Sequence, residues 1–167
     1  RGTKVDLSYS IRNGGLKFFA DGYMNYTADY ISQITTFDEN KLITTYVNVA
    51  SDMKTGLDLS LNLDVTSWFN VLLASNTYYV KSDGEYKGAA ISNRGVTNNS
   101  NITLDFITWR GMNIQCQYFV TTPQYFPQLT TALTHQMNIG IKQRFFKVPI
   151  TVSLLMTDVF KTSKWEV

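Results

Sequence analysis

Thr55 to Val80 reads TGLDLSLNLDVTSWFNVLLASNTYYV, and its first half alternates without a fault. Leu57, Leu59, Leu61, Leu63 and Val65 share one parity, and Asp58, Ser60, Asn62 and Asp64 share the other. Side chains on a strand alternate between faces, so this is a ribbon with one apolar face and one polar face. A turn at Val65 to Ser67 leads through Trp68 and Phe69 into a second strand that ends in Tyr78 and Tyr79. Trp68 and Tyr78 are ten residues apart. At about 3.3 Å per residue and a tilt near 45°, that is roughly 23 Å of rise, close to the ~25 Å apolar band of an outer-membrane barrel.

The same alternation extends outward in both directions. Upstream, a strand over about Lys4 to Arg12 reaches the tight-turn signal Asn13-Gly14-Gly15, and a longer strand follows over Leu16 to Gln33. Gly22 within it marks a bulge or a close neighbour. A polar loop is expected near Thr35 to Asn40. A third strand follows over Lys41 to Asp64, interrupted around Ala50 to Lys54. Downstream, Phe69 to Lys81 is the fourth strand, and a Gly-, Ser- and Asn-rich loop is expected over Ser82 to Gly95. The fifth strand spans Val96 to Thr108 and turns at Trp109-Arg110-Gly111 into the sixth, Met112 to Thr122. A loop over Pro123 to Leu129 precedes the seventh strand, Thr131 to Phe145, and the eighth covers Ile150 to Phe160.

Short turns on one rim and longer polar connections on the other describe an all-β, antiparallel, up-and-down transmembrane barrel. Trp68, Phe69, Trp109, Phe145 and Phe146 are expected in the periplasmic aromatic girdle. Tyr78, Tyr79, Tyr118, Phe119, Tyr125 and Phe126 are expected in the outer one. Composition agrees. In the 167 residues, charged side chains make up 17% and aromatic ones 14%, and there are three prolines. Few prolines suit long ladders. Asn, Gln, Ser, Thr and Asp, rather than Lys and Glu, build the polar face. No apolar run is long enough for a membrane helix. A net charge of +2 gives no argument for a nucleic-acid partner.

With the strands in order, the chain resembles the C-terminal barrel portion of TonB-dependent outer-membrane receptors, in the outer-membrane β-barrel branch. The matching residues are TTYVNVASDMKTGLDLSLNLDVTSWFNVLLAS (Thr44 to Ser75) and TDVFKTSKW (Thr157 to Trp165). The sequence departs from the family pattern at Lys161, where Asn is usual, and at Val65-Thr66, where Pro is frequent. The resemblance implies that residues 1–167 are the C-terminal part of a larger barrel of roughly 22 strands, without the plug domain and final strand. It further implies active nutrient uptake across a bacterial outer membrane. The implied partners are lipid, the plug domain, TonB and a surface lipoprotein. Two other readings fit the alternation: a complete small eight-stranded barrel with a structural or adhesion role, and a soluble sandwich or lipocalin-like binder.

No catalytic constellation is visible, and no enzyme activity, cofactor or metal is expected. His135 is the only histidine, so a His-based triad or metal site has no partners. Cys116 shares a face with Ile114 and Tyr118 and reads as a lipid-facing or packed small hydrophobe rather than a nucleophile. Ligand recognition is expected on the outer loops: Asp83, Glu85, Tyr86 and Arg94 in one, Gln124 and Tyr125 in another. The aromatic members serve equally well as membrane-interface anchors.

Overall fold

The computed structural model describes all residues except 39–40, 87–88, 109, 127–128, 146–148 and 163–167. The strands are β1 (Gly2–Asn13), β2 (Leu16–Asp38), β3 (Lys41–Thr66), β4 (Phe69–Tyr86), β5 (Ala89–Ile107), β6 (Met112–Thr121), β7 (Thr134–Phe145) and β8 (Ile150–Met156). They form one 8-stranded sheet in sequence order, every neighbouring pair antiparallel. Among the described residues β1 and β8 do not pair, so the sheet is open at both edges.

The lower rim is made of tight turns. Asn13 pairs with Leu16 around Gly14, whose φ of 54° lies in the left-handed region that favours glycine. The β3–β4 turn carries a register shift between Asp64 and Thr66. This is the place where Pro is frequent in the resembling family, and the bulge turns the strand without one. Gly22 sits in unbroken register between Leu7 and Leu57, so it marks no bulge.

The upper rim departs from expectation. The polar loop near Thr35 and the break near Ala50 are both strand: β2 continues to Asp38 and β3 begins at Lys41. Within that ladder Asp29 adopts φ 57° opposite Ala50 without changing the register on either side. The Ser82–Gly95 loop is likewise a hairpin, β4 running up to Tyr86 and β5 starting at Ala89. Polarity argued for loops here; Thr, Tyr, Val and Ile recur through the β2–β3 hairpin and favour extended backbone, whereas Ser82–Gly95 holds only Tyr86 and Ile91 of these types and is a ladder through its cross-strand pairing. β7 begins at Thr134 rather than Thr131, and β8 ends at Met156 rather than Phe160. The eighth strand stops because Asp158 and Lys161 both take positive φ, 49° and 55°. The Thr162 amide donates to Asp158 Oδ1 at 2.9 Å, closing a turn whose Val159 amide donates to the Met137 carbonyl at 2.9 Å.

Above the level of Ala28 and Ser51, among the described residues, β2 and β3 pair with each other alone, through nine register pairs from Tyr30–Val49 to Asp38–Lys41. β1 pairs with β2 up to that height, where the Ala28 amide donates to the Arg1 carbonyl. The β3–β4 ladder also ends there, at the Ser51–Asp83 pair, while β4 runs on with β5 to Tyr86. Among the described residues, β2 and β3 thus form a two-stranded ribbon above the height at which their ladders with β1 and β4 end.

No dry core exists among the described residues. Val80, 3% exposed, is the sole buried hydrophobic, while Leu7 is 80% exposed and Val152 56%. A soluble sandwich of this size buries the inward face of both sheets, and here there is one layer. Leu59, Leu61, Ile114 and Val152 are distributed over β3, β6 and β8 rather than gathered at a centre.

Candidate functional site: the polar face and its strap

Register assigns every strand residue to a face. One set of rows is apolar: Ile11–Phe18–Leu61–Leu73–Ile102–Tyr118–Met137, and Leu16–Leu63–Val71–Leu104–Cys116–Ile139–Met156. The lower end of this face is closed by a stack of Trp68, Phe69 and Phe106, with the two Phe ring centroids 4.7 Å apart. Ten residues above Phe69 on the same strand is Tyr79, followed by Lys81, Asp83 and, across the ladder, Arg94. Lys81 bonds Asp83 at 2.6 Å, and that carboxylate raises the Lys81 ammonium above its usual pKa. Aromatic ring, apolar band, aromatic ring and then charge is the order of a membrane-facing surface.

This face carries one polar island, Ser75, Thr77, Asn98 and Ser100, and it is satisfied internally. The Asn98 amide donates to Thr77 Oγ1 at 2.6 Å and Ser75 Oγ at 3.1 Å, and Ser100 Oγ donates to Ser75 Oγ and Asn98 Oδ1 at 2.7 Å each. Polar groups bordering hydrocarbon are tolerated when they bond one another.

The opposite face is a lattice of carboxylates and carboxamides. Asn70 donates to Asn62 at 2.8 Å and Asp64 at 2.6 Å, Gln115 donates to Asp105 at 2.8 Å, and Ser82 donates to Asp52 at 2.6 Å. Asn76 donates to Asp58 and, at 3.0 Å, to the Tyr23 hydroxyl. Asp58 and Asp21 are direct cross-strand partners, and Ser8 donates to Asp21. Like charges placed opposite are unfavourable, and these donors on Ser8 and Asn76 offset that. A surface of this kind meets water, and an alternating strand with water on one side and an apolar band on the other is a barrel wall.

The sequence model of the outer membrane protein beta-barrel family matches residues 3–167. The chain belongs to that family. Among curated proteins and solved structures, none matches. Membership gives the chain an outer-membrane location, and the polar face of this family member becomes the candidate site.

The connection between β6 and β7 folds onto that face as a strap. Thr97, fully buried, donates its hydroxyl to the Pro123 carbonyl at 2.8 Å. Asn93 donates to the Phe126 carbonyl at 2.8 Å and Thr130 Oγ1 at 3.1 Å. Tyr125 lays its ring on Gly95, where a Cβ would collide with the ring, and the Tyr125–Thr130 bridge closes the strap on itself. Val80, Ser82 and Thr97, three of the most buried residues, lie in the rows of Gly95, Asn93 and Tyr78 beside this footprint. A second ring-on-glycine contact lies on the same face, where a Cβ on Gly56 would sit 2.7 Å from the Tyr23 hydroxyl.

The expected recognition residues therefore divide. Asp83, Glu85 and Arg94 sit on strands, on the apolar-face parity. Tyr86 ends β4. Gln124 and Tyr125 belong to the strap on the other side of the sheet. The expected outer girdle also divides, because adjacent residues on a strand cannot share a face. Tyr79 and Tyr118 face with the apolar rows, whereas Tyr78 and Phe119 face the polar side and Tyr125 is folded over Gly95. Trp109 and Phe146, expected in the lower girdle, lie outside the described residues. The strap was missed because its anchor is a glycine 30 residues upstream of Tyr125. That contact leaves no local pattern.

Proposed function

We propose that this chain forms part of the wall of a TonB-dependent receptor in the outer membrane of Gram-negative bacteria, a transporter for active nutrient uptake. The observation that supports it best is the open sheet. Eight strands in perfect up-and-down order leave β1 and β8 each with one unpaired edge, and unpaired backbone edges are not tolerated in hydrocarbon. Further strands of a larger barrel would meet that need. In such a receptor the polar face borders the lumen and touches the plug domain, TonB supplies energy from the inner membrane, and a surface lipoprotein meets the upper rim. The role is transport rather than enzymatic.

A second reading rests on the strand count. Eight strands suffice for a small closed barrel with its interior filled by side chains. Cysteine pairs scanned along β1 and β8 of the full-length protein, with Cys116→Ser, separate the two. Ready β1–β8 disulfides in the membrane mean a closed small barrel. Their absence, with uptake that stops when the inner-membrane proton gradient is collapsed, supports the receptor.

A further inference from the structure

One row of the polar face departs from the amide-and-carboxylate lattice. It runs Phe19–Ser60–Ala74–Asn101–Phe119 across β2 to β6. Small side chains floor it, and two phenylalanines stand at its ends, 40% and 38% exposed. Four strand spacings of ~4.8 Å put them roughly 19 Å apart along the sheet. The trough between them holds about 430 Å³, the size of a small-molecule site. Asp58, Asn76 and Asn99 border it. Among the described residues, the Asn99 and Asn101 side chains bond to nothing within the chain.

We propose that this trough binds a neutral, polyhydroxylated ligand, a short linear oligosaccharide. The inference deepens the receptor reading and rests on it in one respect, that the polar face lines the lumen. Sugar rings present C–H groups on their faces and hydroxyls around their edges. Exposed phenyl rings cover the faces, and carboxamides, which both donate and accept, serve the edges. Asp58 is the one ionisable group in the lining, and it already accepts from Asn76, so the site asks for no ligand charge. A span of two ring platforms suits a chain of sugars better than a single one. A peptide is poorly served, because β3, β4 and β5 are paired on both sides at this height and offer no edge for strand addition.

The test is calorimetric titration of the full-length protein in detergent, with maltohexaose, cellohexaose and xylohexaose as probes and a Gly-Ser hexapeptide as the control. At least one hexasaccharide is expected to bind with a millimolar or tighter Kd, and Phe119→Ala and Asn101→Leu are each expected to weaken it about tenfold. Heat-modifiable migration on gels reports that each variant is folded; if Phe119→Ala is not, Asn101→Leu carries the test. Binding of none of the three sugars, equal binding by the folded variants, or binding of the peptide alone overturns the proposal. Binding in detergent needs no energy source, so the two readings fail differently. Sugar binding without gradient-dependent uptake counts against the receptor, and gradient-dependent uptake without sugar binding counts against the trough.

Discussion

The lower part of β3 and its upper part are the same strand with different support. From Gly56 to Asp64 it pairs on one side with β2 and on the other with β4. From Lys41 to Val49 it pairs with β2 alone. Alternation is strict in the first part and lost in the second, where Ile43 and Tyr46, with Ile31 on the paired β2, are exposed at 43%, 74% and 66% on both faces of the ribbon. Where lipid and water meet a wall on opposite sides, each position has a fixed solvent and the sequence is constrained. Where a ribbon stands free, both faces meet the same medium and the pattern relaxes.

That difference can be broken by experiment. The largest effect is expected in amide exchange: Leu57 to Leu63 should be protected orders of magnitude better than Tyr30 to Val49, because a lone hairpin is marginal by itself. Equal protection, measured by mass spectrometry in lipid, would mean that something braces the ribbon. Next is charge placement. Leu73→Arg, in the middle of the apolar band, should destabilise the membrane-inserted protein by about 2–4 kcal/mol, and Ile31→Arg on the ribbon by almost nothing. Denaturant unfolding from lipid vesicles measures both. Third, Gly95→Val should displace the Tyr125 ring at a cost of about 1–3 kcal/mol and open the strap to protease. Gly22→Val, whose added Cβ would meet only the Leu7 carbonyl at 3.9 Å, should leave digestion unchanged. The smallest effect belongs to Lys161→Asn. Lys161 occupies φ 55°, where asparagine is better tolerated than lysine, so the change should stabilise the terminal turn by up to about 1 kcal/mol. A drop in stability would show that the lysine side chain matters there.

What could be read from residues alone follows the same division. The wall was legible: its parity, its tight turns and the Trp68–Phe69 end of the band all follow from period-two patterning and turn chemistry. Lys161 was legible as an oddity, and the structure supplies the reason in its backbone angle. The upper hairpins were not. Gly, Ser, Asn and Thr mark loops by composition, and only the partner strand decides that Ser82 to Gly95 is a ladder. Tyr78-Tyr79 reads as one aromatic mark, although alternation sends the two rings to opposite faces. The trough was invisible because Phe19 and Phe119 are a hundred residues apart and become a pair only through four successive registers.

From β3 to β8 the strands shorten overall, through 26, 18, 19, 10, 12 and 7 residues. The upper edge of the sheet is consequently uneven: tall over β2 and β3, and lower at β8. The height of the rim is therefore set by strand length before any side chain is considered.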